Sequence, residues 1–375
     1  MALLALNNID ISYGSTHVLK DVSFAIEDGE IGCILGPSGS GKTSLLRAIA
    51  GFIDISQGSI YIAEQLMSSA NASQPVNNRQ VGLVFQDYAL FPHLTVFENV
   101  MFGLKNIADL TSQQKKERAQ QYLKLMDISG FANSFPADLS GGQQQRVAIA
   151  RAIAPEPKLL LMDEAFSSLD PLLREQVAQD LRKVIKDLGL TAILVTHDQT
   201  EAFAFSDKIA VVANGKLQQF STAYELYHQP KTMFVANFIG EGVFINGDLV
   251  LQNNAFFVKT SLGNLTLDPQ QIDQLKQIIK YVEETKINDS NELKVIKSGL
   301  TILLRPDDII HDDESIAKAI IVKKQFRGAF IRYELLLNQS QERILCFAPS
   351  HHNHEIGETF GIKAEVDHLI CFATN

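Results

Sequence analysis

Eight consecutive residues carry the densest chemical signal in the chain: Gly36, Pro37, Ser38, Gly39, Ser40, Gly41, Lys42 and Thr43. They follow the apolar run Ile31, Cys33, Ile34, Leu35 and precede Ser44, Leu45, Leu46, Arg47, Ala48, Ile49 and Ala50, which read as helix. A strand, a glycine loop and a helix in that order form an anion site, because the loop N–H groups and the positive helix end converge on one point. The ligand this predicts is a nucleoside triphosphate, with Lys42 reaching its outer phosphates and the Thr43 hydroxyl placed on Mg²⁺. A chance glycine-rich turn is a poor alternative, since each required glycine comes from a background usage of only about 7%.

Other residues could complete that chemistry. Leu159, Leu160, Leu161 and Met162 form an apolar strand that delivers Asp163 and Glu164 at its carboxyl end, where ligands bind in an open parallel sheet. Asp163 would orient the water shell of the metal, and Glu164 would polarise a water for attack on the γ-phosphate. Residues 81–85 read as a buried strand ending in Gln86, whose amide could ligate Mg²⁺ or hold the attacking water. Residues 192–195 form another such strand ending at Thr196 and His197. That histidine either bonds the γ-phosphate or is a satisfied core residue. Tyr13, in a turn ahead of the loop, either stacks on a purine base or is a half-buried surface tyrosine. Ser140, Gly141 and Gly142 open a helix with free N–H groups, so they form a second anion site or an ordinary serine cap followed by flexible glycines.

The elements that must position these residues are legible in outline. Residues 4–62 read as short strands broken by turns at Asp28-Gly29 and Gln57-Gly58. From Thr111 the period becomes helical, with a Thr111/Gln114 capping box and Ala119, Tyr122, Leu123 and Met126 on one face. A helix over 147–153 is stopped by Pro155 and Pro157. Another is capped by Asp170, starts at Pro171, buries Leu173, Val177, Leu181, Val184 and Leu188, and ends at Gly189. Residues 208–220 predict a hairpin with a type I′ turn at Asn214-Gly215. The aromatic stretch 87–94 is either a contact surface or a locally buried loop.

Whole-chain properties narrow the class. A length of 375 residues suits two domains, and 46% hydrophobic with 20% charged residues describes a folded protein. The net charge of −10 argues against a general nucleic-acid binder. Cys33, Cys346 and Cys371 are an odd set without paired metal spacing, which fits reduced thiols in a cytoplasm. The opening residues lack the basic leader of a signal peptide, and no apolar run approaches the roughly 18 to 20 residues that cross a bilayer.

Taken together, these residues resemble the nucleotide-binding subunit of an ATP-binding-cassette transporter over roughly residues 4–240. Tyr13 matches its base-stacking aromatic, residues 36–43 its Walker A loop and Gln86 its Q-loop. Leu139 to Gln143 match its signature motif, and 159–164 its Walker B with the catalytic glutamate. Ser167, Ser168, Leu169 and Asp170 match its D-loop, and His197 its switch histidine. One departure is Ala165, where the family has proline, which would loosen the backbone holding Glu164. The resemblance implies an α/β P-loop NTPase cassette at 1–238, with a helical subdomain at about 88–155. It also implies a head-to-tail homodimer that binds ATP and Mg²⁺. Glu164, His197 and Gln86 would be catalytic and Thr43, Gln86 and Asp163 would serve the metal. Ser140, Gly141, Gly142 and Gln143 of one copy would close over the ATP of the other, and the 87–94 loop would touch a transmembrane permease.

Residues 239–375 turn to short alternating strands, such as Ile331, Tyr333, Leu335 and Leu337. Leu303, Leu304, Arg305, Pro306 and Asp307 resemble the arginine–proline motif of the β-barrel, oligosaccharide-binding-like regulatory domains of importer ATPases. Residues 268–284 read as an inserted helix of no assigned role. His351, His352, His354 and Glu355 read as a hydrated loop rather than an iron site, their ligands being too crowded. The reading is therefore an ATPase on the cytoplasmic face of a bacterial inner membrane. It would be served indirectly by a periplasmic solute-binding protein and bind no nucleic acid. Residues 238–242, 50–52 and 91–93 most resemble ferric-iron importers, with sulfate, polyamine, sugar or phosphonate as other cargoes. A soluble cassette protein acting on nucleic acid or ribosomes is a further class, disfavoured by one cassette and an acidic balance.

Overall fold

Strands made almost wholly of apolar residues bury both faces, and Ile31–Leu35, Leu159–Asp163 and Thr191–Thr196 do so at the centre of a parallel sheet. The computed structural model describes residues 1–167, 170–253, 255–267, 271–272, 294–338 and 340–373. The chain falls into two compact units, Met1–Ala223 and Tyr224–Asn375.

The first unit contains β1 (Ala2–Tyr13), β2 (Thr16–Glu27), β3 (Ile31–Leu35), β4 (Gln57–Ile62), β5 (Gln65–Ser69), β6 (Ala72–Ser73) and β7 (Val81–Val84). It continues with β8 (Leu159–Asp163), β9 (Thr191–Thr196), β10 (Lys208–Ala213) and β11 (Lys216–Ser221). Its helices are α1 (Lys42–Ala50), α2 (Val96–Gly103), α3 (Ser112–Leu125), α4 (Gly141–Ile153), α5 (Pro171–Asp187) and α6 (Gln199–Phe205). One sheet runs β11-β10-β3-β9-β8-β7, parallel from β10 to β7. The other, β2-β1-β4-β5-β6, is antiparallel. Leu4, Ile9 and Ile60 from the second sheet meet Leu45 and Ile49 of α1 and Leu161, Ile193 and Val195 of the first in one core. This fixes α1 from both sides.

Several details differ from the sequence reading for identifiable reasons. The first strands are not short: β1 and β2 each run 12 residues, and bulges near Asn8 (φ 51°) and Asp21 (φ 54°) break their alternation. Gly58 is not in a turn but inside β4, with φ 89°, where a Cβ would lie 2.3 Å from the Asn8 carbonyl oxygen. Helical structure begins before Thr111, at α2, whose capping box Thr95/Glu98 was legible. Among the described side chains of α5 the buried positions are Ala178, Leu181 and Ile185, with Val177 and Val184 half-buried; Leu188, just past the helix, is exposed, and the Leu173 side chain lies outside those described. The α3 face and the hairpin are as expected, with Asn214 and Gly215 both at positive φ.

The second unit holds α7 (Ala223–His228), α8 (Met233–Phe238), β12 (Val243–Gln252), β13 (Ala255–Thr260), β14 (Gly263–Thr266), β15 (Lys294–Leu304) and β16 (Ile309–His311). Its remaining strands are β17 (Lys318–Phe326), β18 (Phe330–Leu337), β19 (Arg343–Pro349), β20 (Thr359–Ala364) and β21 (Ile370–Ala373). Two antiparallel sheets, β14-β13-β12-β15-β21 and β16-β20-β17-β18-β19, share one core. This is the barrel-like β domain that the sequence implies. Ile331, Tyr333, Leu335 and Leu337 all point inward on β18. The inserted-helix reading of 268–284 falls almost wholly outside the described residues.

The division between units comes earlier than residue 239, and Arg305 gives the reason. Its buried guanidinium donates to the carbonyls of Tyr227 (3.2 Å), Ala236 (3.0 Å) and Glu241 (3.0 Å) and stacks on the Tyr227 ring at 4.3 Å. The two short helices are thereby tied to the β domain. Arg305→Met should strand these carbonyls and destabilise the second unit by about 3 kcal/mol. Denaturant melts of the full chain followed by circular dichroism would check this, an unshifted melt counting against it.

Candidate functional site

The phosphate loop owes its shape to glycines at sterically closed points. A Cβ on Gly36 would lie 2.0 Å from the Val212 carbonyl oxygen on β10, so no side chain fits where the chain leaves β3. Gly41 caps α1 at φ 98°, and a Cβ there would strike Leu19 at 2.7 Å. The Ser40 hydroxyl is buried and, among the described residues, lacks a hydrogen-bond partner. An orphaned polar atom in a loop of N–H groups is what a bound phosphate would satisfy. Lys42 is only 6% exposed and its ammonium donates to the Pro37 carbonyl at 2.9 Å. Burial pushes that ammonium below its usual range against the pull of Glu164 and Asp163, so an anion beside it would be strongly favoured.

At the α1 entrance, the Thr43 hydroxyl donates to Asp163 Oδ1 at 3.3 Å. Burial raises the Asp163 carboxyl above its ordinary range, and the Thr43 bond opposes this. Thr43, Asp163 and the Gln86 amide are hard oxygen donors, a set that suits Mg²⁺. Among the described residues no group of His, Cys, Asp and Glu is arranged to hold a metal ion alone. Phosphate oxygens and water would have to complete the shell.

Glu164 is the meeting point of three segments. Gln86 Nε2 donates to its Oε2 at 3.3 Å, and His197 Nδ1 stands 3.5 Å from its Oε1. The His197 side chain is 54% exposed, so it is not a core histidine. Glu164 itself adopts φ 46°, a left-handed conformation uncommon for a residue with a Cβ. Its N–H donates to the Val195 carbonyl at 2.9 Å, and its own carbonyl accepts from the Ser167 N–H (3.1 Å) and hydroxyl (2.8 Å). These bonds frame the turn, in which Ala165 is fully buried.

Tyr13, 49% exposed, donates from its hydroxyl to Ser44 Oγ in the first turn of α1 at 3.5 Å, so its ring stands beside the loop. Ser140 and Gln143 form a reciprocal cap at the start of α4, the Ser140 N–H donating to Gln143 Oε1 at 2.8 Å. Ser140 and Gly141 are exposed, and the side-chain bonds of this cap are internal to it. The single chain does not bring this second anion site to Lys42 through any bond among the described residues. Ser168 and Leu169 of the D-loop lie outside the described residues.

The structure adds residues without a sequence signal. Arg79, fully buried, donates to the carbonyls of Ala48 (2.9 Å) and Ile49 (3.0 Å), which pins the carboxyl end of α1. The aromatic loop is part buried and part exposed: Arg151 holds the Tyr88 and Ala89 carbonyls at 2.8 and 2.7 Å. The buried Asn99 amide bonds Phe91, Leu94 and Thr95, while Pro92 and His93 face solvent. Phe52, Phe85 and Phe102 are exposed nearby in sequence or contact, with Phe52 and Phe85 rings 6.5 Å apart and Phe91 and Phe102 rings 4.3 Å apart. In the β domain, the hydrated-loop reading holds for His351. His352 is half-buried, with its Nδ1 2.9 Å from Nδ1 of His311, and His354 packs on Phe360.

Comparison with known proteins gives the family of the chain. A family model described as ABC transporter matches residues 19–167, and one described as TOBE domain matches 302–372. The spermidine/putrescine import ATP-binding protein PotA of Haemophilus ducreyi is 38% identical over 367 residues, 95% of this chain and 93% of that protein. The Fe(3+) ions import ATP-binding protein FbpC 2 of Haemophilus influenzae is 42% identical over 272 residues, 72% of this chain and 75% of that protein. Among solved structures, a dimeric post-hydrolysis state of the ATP-binding cassette MJ0796 bound to ADP and Pi is similar. Its TM-score is 0.51 at 33% identity, covering 58% of this chain and 98% of that one.

Gly36→Ala should weaken triphosphate binding at least about tenfold, since overpacking against a backbone carbonyl costs more than 1 kcal/mol. Titration with a fluorescent ATP analogue reads this directly; unchanged affinity would mean the loop is not the phosphate site.

Proposed function

Because the chain belongs to the ABC transporter family as an import ATPase with a C-terminal barrel-like domain, we propose that it drives a bacterial inner-membrane importer whose cargo is ferric iron. The observation that carries the catalytic part is the position of Glu164, between the Gln86 amide and His197 and next in sequence to Asp163. In this reading Glu164 is the general base that takes a proton from the attacking water. Gln86 orients that water, and His197 holds the γ-phosphate side of the pocket. Lys42 and the loop N–H groups of 36–43 neutralise the outer phosphates, and Tyr13 stacks on the base. Thr43, Asp163 and Gln86 would hold Mg²⁺, which when bound withdraws charge from the phosphate oxygens.

The second anion site at Ser140, Gly141, Gly142 and Gln143 would serve the ATP of another copy, so that two chains close head to tail around two nucleotides. The exposure of Ser140 and Gly141 supports this. The exposed aromatics Phe52, Phe85 and Phe102 would meet the permease, linking closure to the transport path. No helix among the described residues is long and apolar enough to cross a membrane, so the membrane contact would be made through that partner. The chain would sit at the cytoplasmic face, with the solute-binding protein acting from the other side.

Ferric iron is supported by the higher identity to the Fe(3+) relative. A polyamine cargo is the second reading, favoured by a match to the spermidine/putrescine relative that extends through the β domain. The separating experiment is ATPase activity of the reconstituted importer presented with carrier-bound Fe³⁺ or with spermidine. Stimulation by spermidine alone would replace the iron reading. Glu164→Gln should bind ATP normally yet hydrolyse it at least ~100-fold more slowly, as loss of a general base requires. Near-normal turnover in that variant would remove Glu164 from the mechanism.

A further inference from the structure

Glu164 and His197 hang from turns that follow the neighbouring strands β8 and β9. Arg174, on α5, lies against both turns. One terminal nitrogen donates to Asp198 Oδ2 at 2.9 Å, the other donates to the Ser167 carbonyl at 3.4 Å, and Nε stands 3.4 Å from Glu201 Oε1. Each partner leads to the candidate site. Ser167 bonds the Glu164 carbonyl through both its N–H and its hydroxyl. Asp198 follows His197 directly, and its N–H donates to Thr196 Oγ1, just before the histidine, at 3.0 Å. The Thr196 hydroxyl in turn donates to Glu201. Asp198 also caps α6, accepting from the N–H groups of Thr200 (2.7 Å) and Glu201 (3.3 Å).

The environment makes this brace stiff. The side chains of Arg174 and Glu201 are 22% and 3% exposed, so the charges are little screened by salt. Burial works against ionisation of Asp198, but the two N–H groups and Arg174 outweigh it and keep its carboxyl below the ordinary range. A planar guanidinium that donates to two acceptors in fixed directions and pairs with a third carboxylate transmits position in a way that a flexible ammonium does not.

We propose that Arg174 is a positioning residue for ATP hydrolysis, fixing the separation of Glu164 and His197 by tying the turn after β8 to both flanks of the histidine. It touches neither nucleotide nor water. The proposal rests on the roles given above to Glu164 and His197, and predicts an effect on turnover rather than on ATP binding.

The test is a mutant cycle on the full-length chain, with ATPase kinetics and a fluorescent ATP titration for Arg174→Met, His197→Ala and the double variant. Arg174→Met should lower kcat about ten- to a hundredfold, the scale of a small misplacement of reacting groups. KM and ATP affinity should stay within about twofold, and in the His197→Ala background the same change should cost less than about twofold more. Arg174→Lys, which keeps the charge without the fork, should fall between wild type and Arg174→Met. Asp180→Asn, which weakens the Arg146–Asp180 pair elsewhere on α5 (3.6 Å), should leave kcat unchanged. Should Arg174→Met not fold, Asp198→Asn removes the 2.9 Å limb alone and enters the same cycle. Equal losses with and without His197, lost ATP affinity at unchanged kcat, or full activity in Arg174→Met would overturn the proposal while leaving the site reading intact. Full turnover in His197→Ala would overturn both.

Discussion

Everything in the candidate site depends on the register of one parallel sheet. Leu35 pairs with Thr196, Val195 with Asp163, and Met162 with Val84. Four strands far apart in the chain therefore end at one edge, and the residues just beyond them are Gly36, Gln86, Glu164 and His197. Parallel strands need crossovers, so each of these ends is followed by a loop or helix that begins at the same edge. A slip of one residue would swap the two faces of a strand and carry its terminal residue off the site. Because β3, β8 and β9 are apolar on both faces, such a slip would change burial little by pattern alone. The register is held by what the ends bond to: the Glu164 N–H to Val195, and the Ile31 N–H to Asp207 at 2.8 Å.

On that edge the electrostatics are unbalanced in a useful way. The buried Lys42 ammonium, the orphaned Ser40 hydroxyl and the amino end of α1 make a local demand for negative charge. Asp163 and Glu164 stand close by, and burial already pushes the Asp163 carboxyl upward. A triphosphate alone would answer the first group and repel the second. In the proposed function, a triphosphate carrying a divalent cation would answer both. Strain sits at the same place, since Glu164 is held in a left-handed backbone by bonds on both sides of its peptide.

Arginine does the long-range bracing throughout. Arg79 pins the far end of α1, Arg151 shapes the aromatic loop, Arg174 ties the turns beyond β8 and β9, and Arg305 fastens the short helices to the β domain. In each case a planar fork collects backbone carbonyls or carboxylates from other segments of the chain. Their partners lie up to 78 residues away, as Tyr227 does from Arg305, so each records a tertiary contact rather than a local preference.

The sequence by itself determined the parts of this protein that are contiguous: the glycine loop, the apolar strands with polar ends, the caps of α3 and α4 and the type I′ hairpin. Spacing of three or four residues, or alternation by two, is local physics and needs no partner. It could not fix the bulges that lengthen β1 and β2, because a bulge erases the alternation that signals a strand. The place of Gly58 and the rotation of α5 were also beyond it, since both answer to a distant neighbour. Tertiary structure alone decided that His197 is exposed beside Glu164, that Ala165 is buried behind it, and that His311 joins His352. Those outcomes depend on which strand lies next to which, and pairing between remote segments leaves no periodic trace along a single chain.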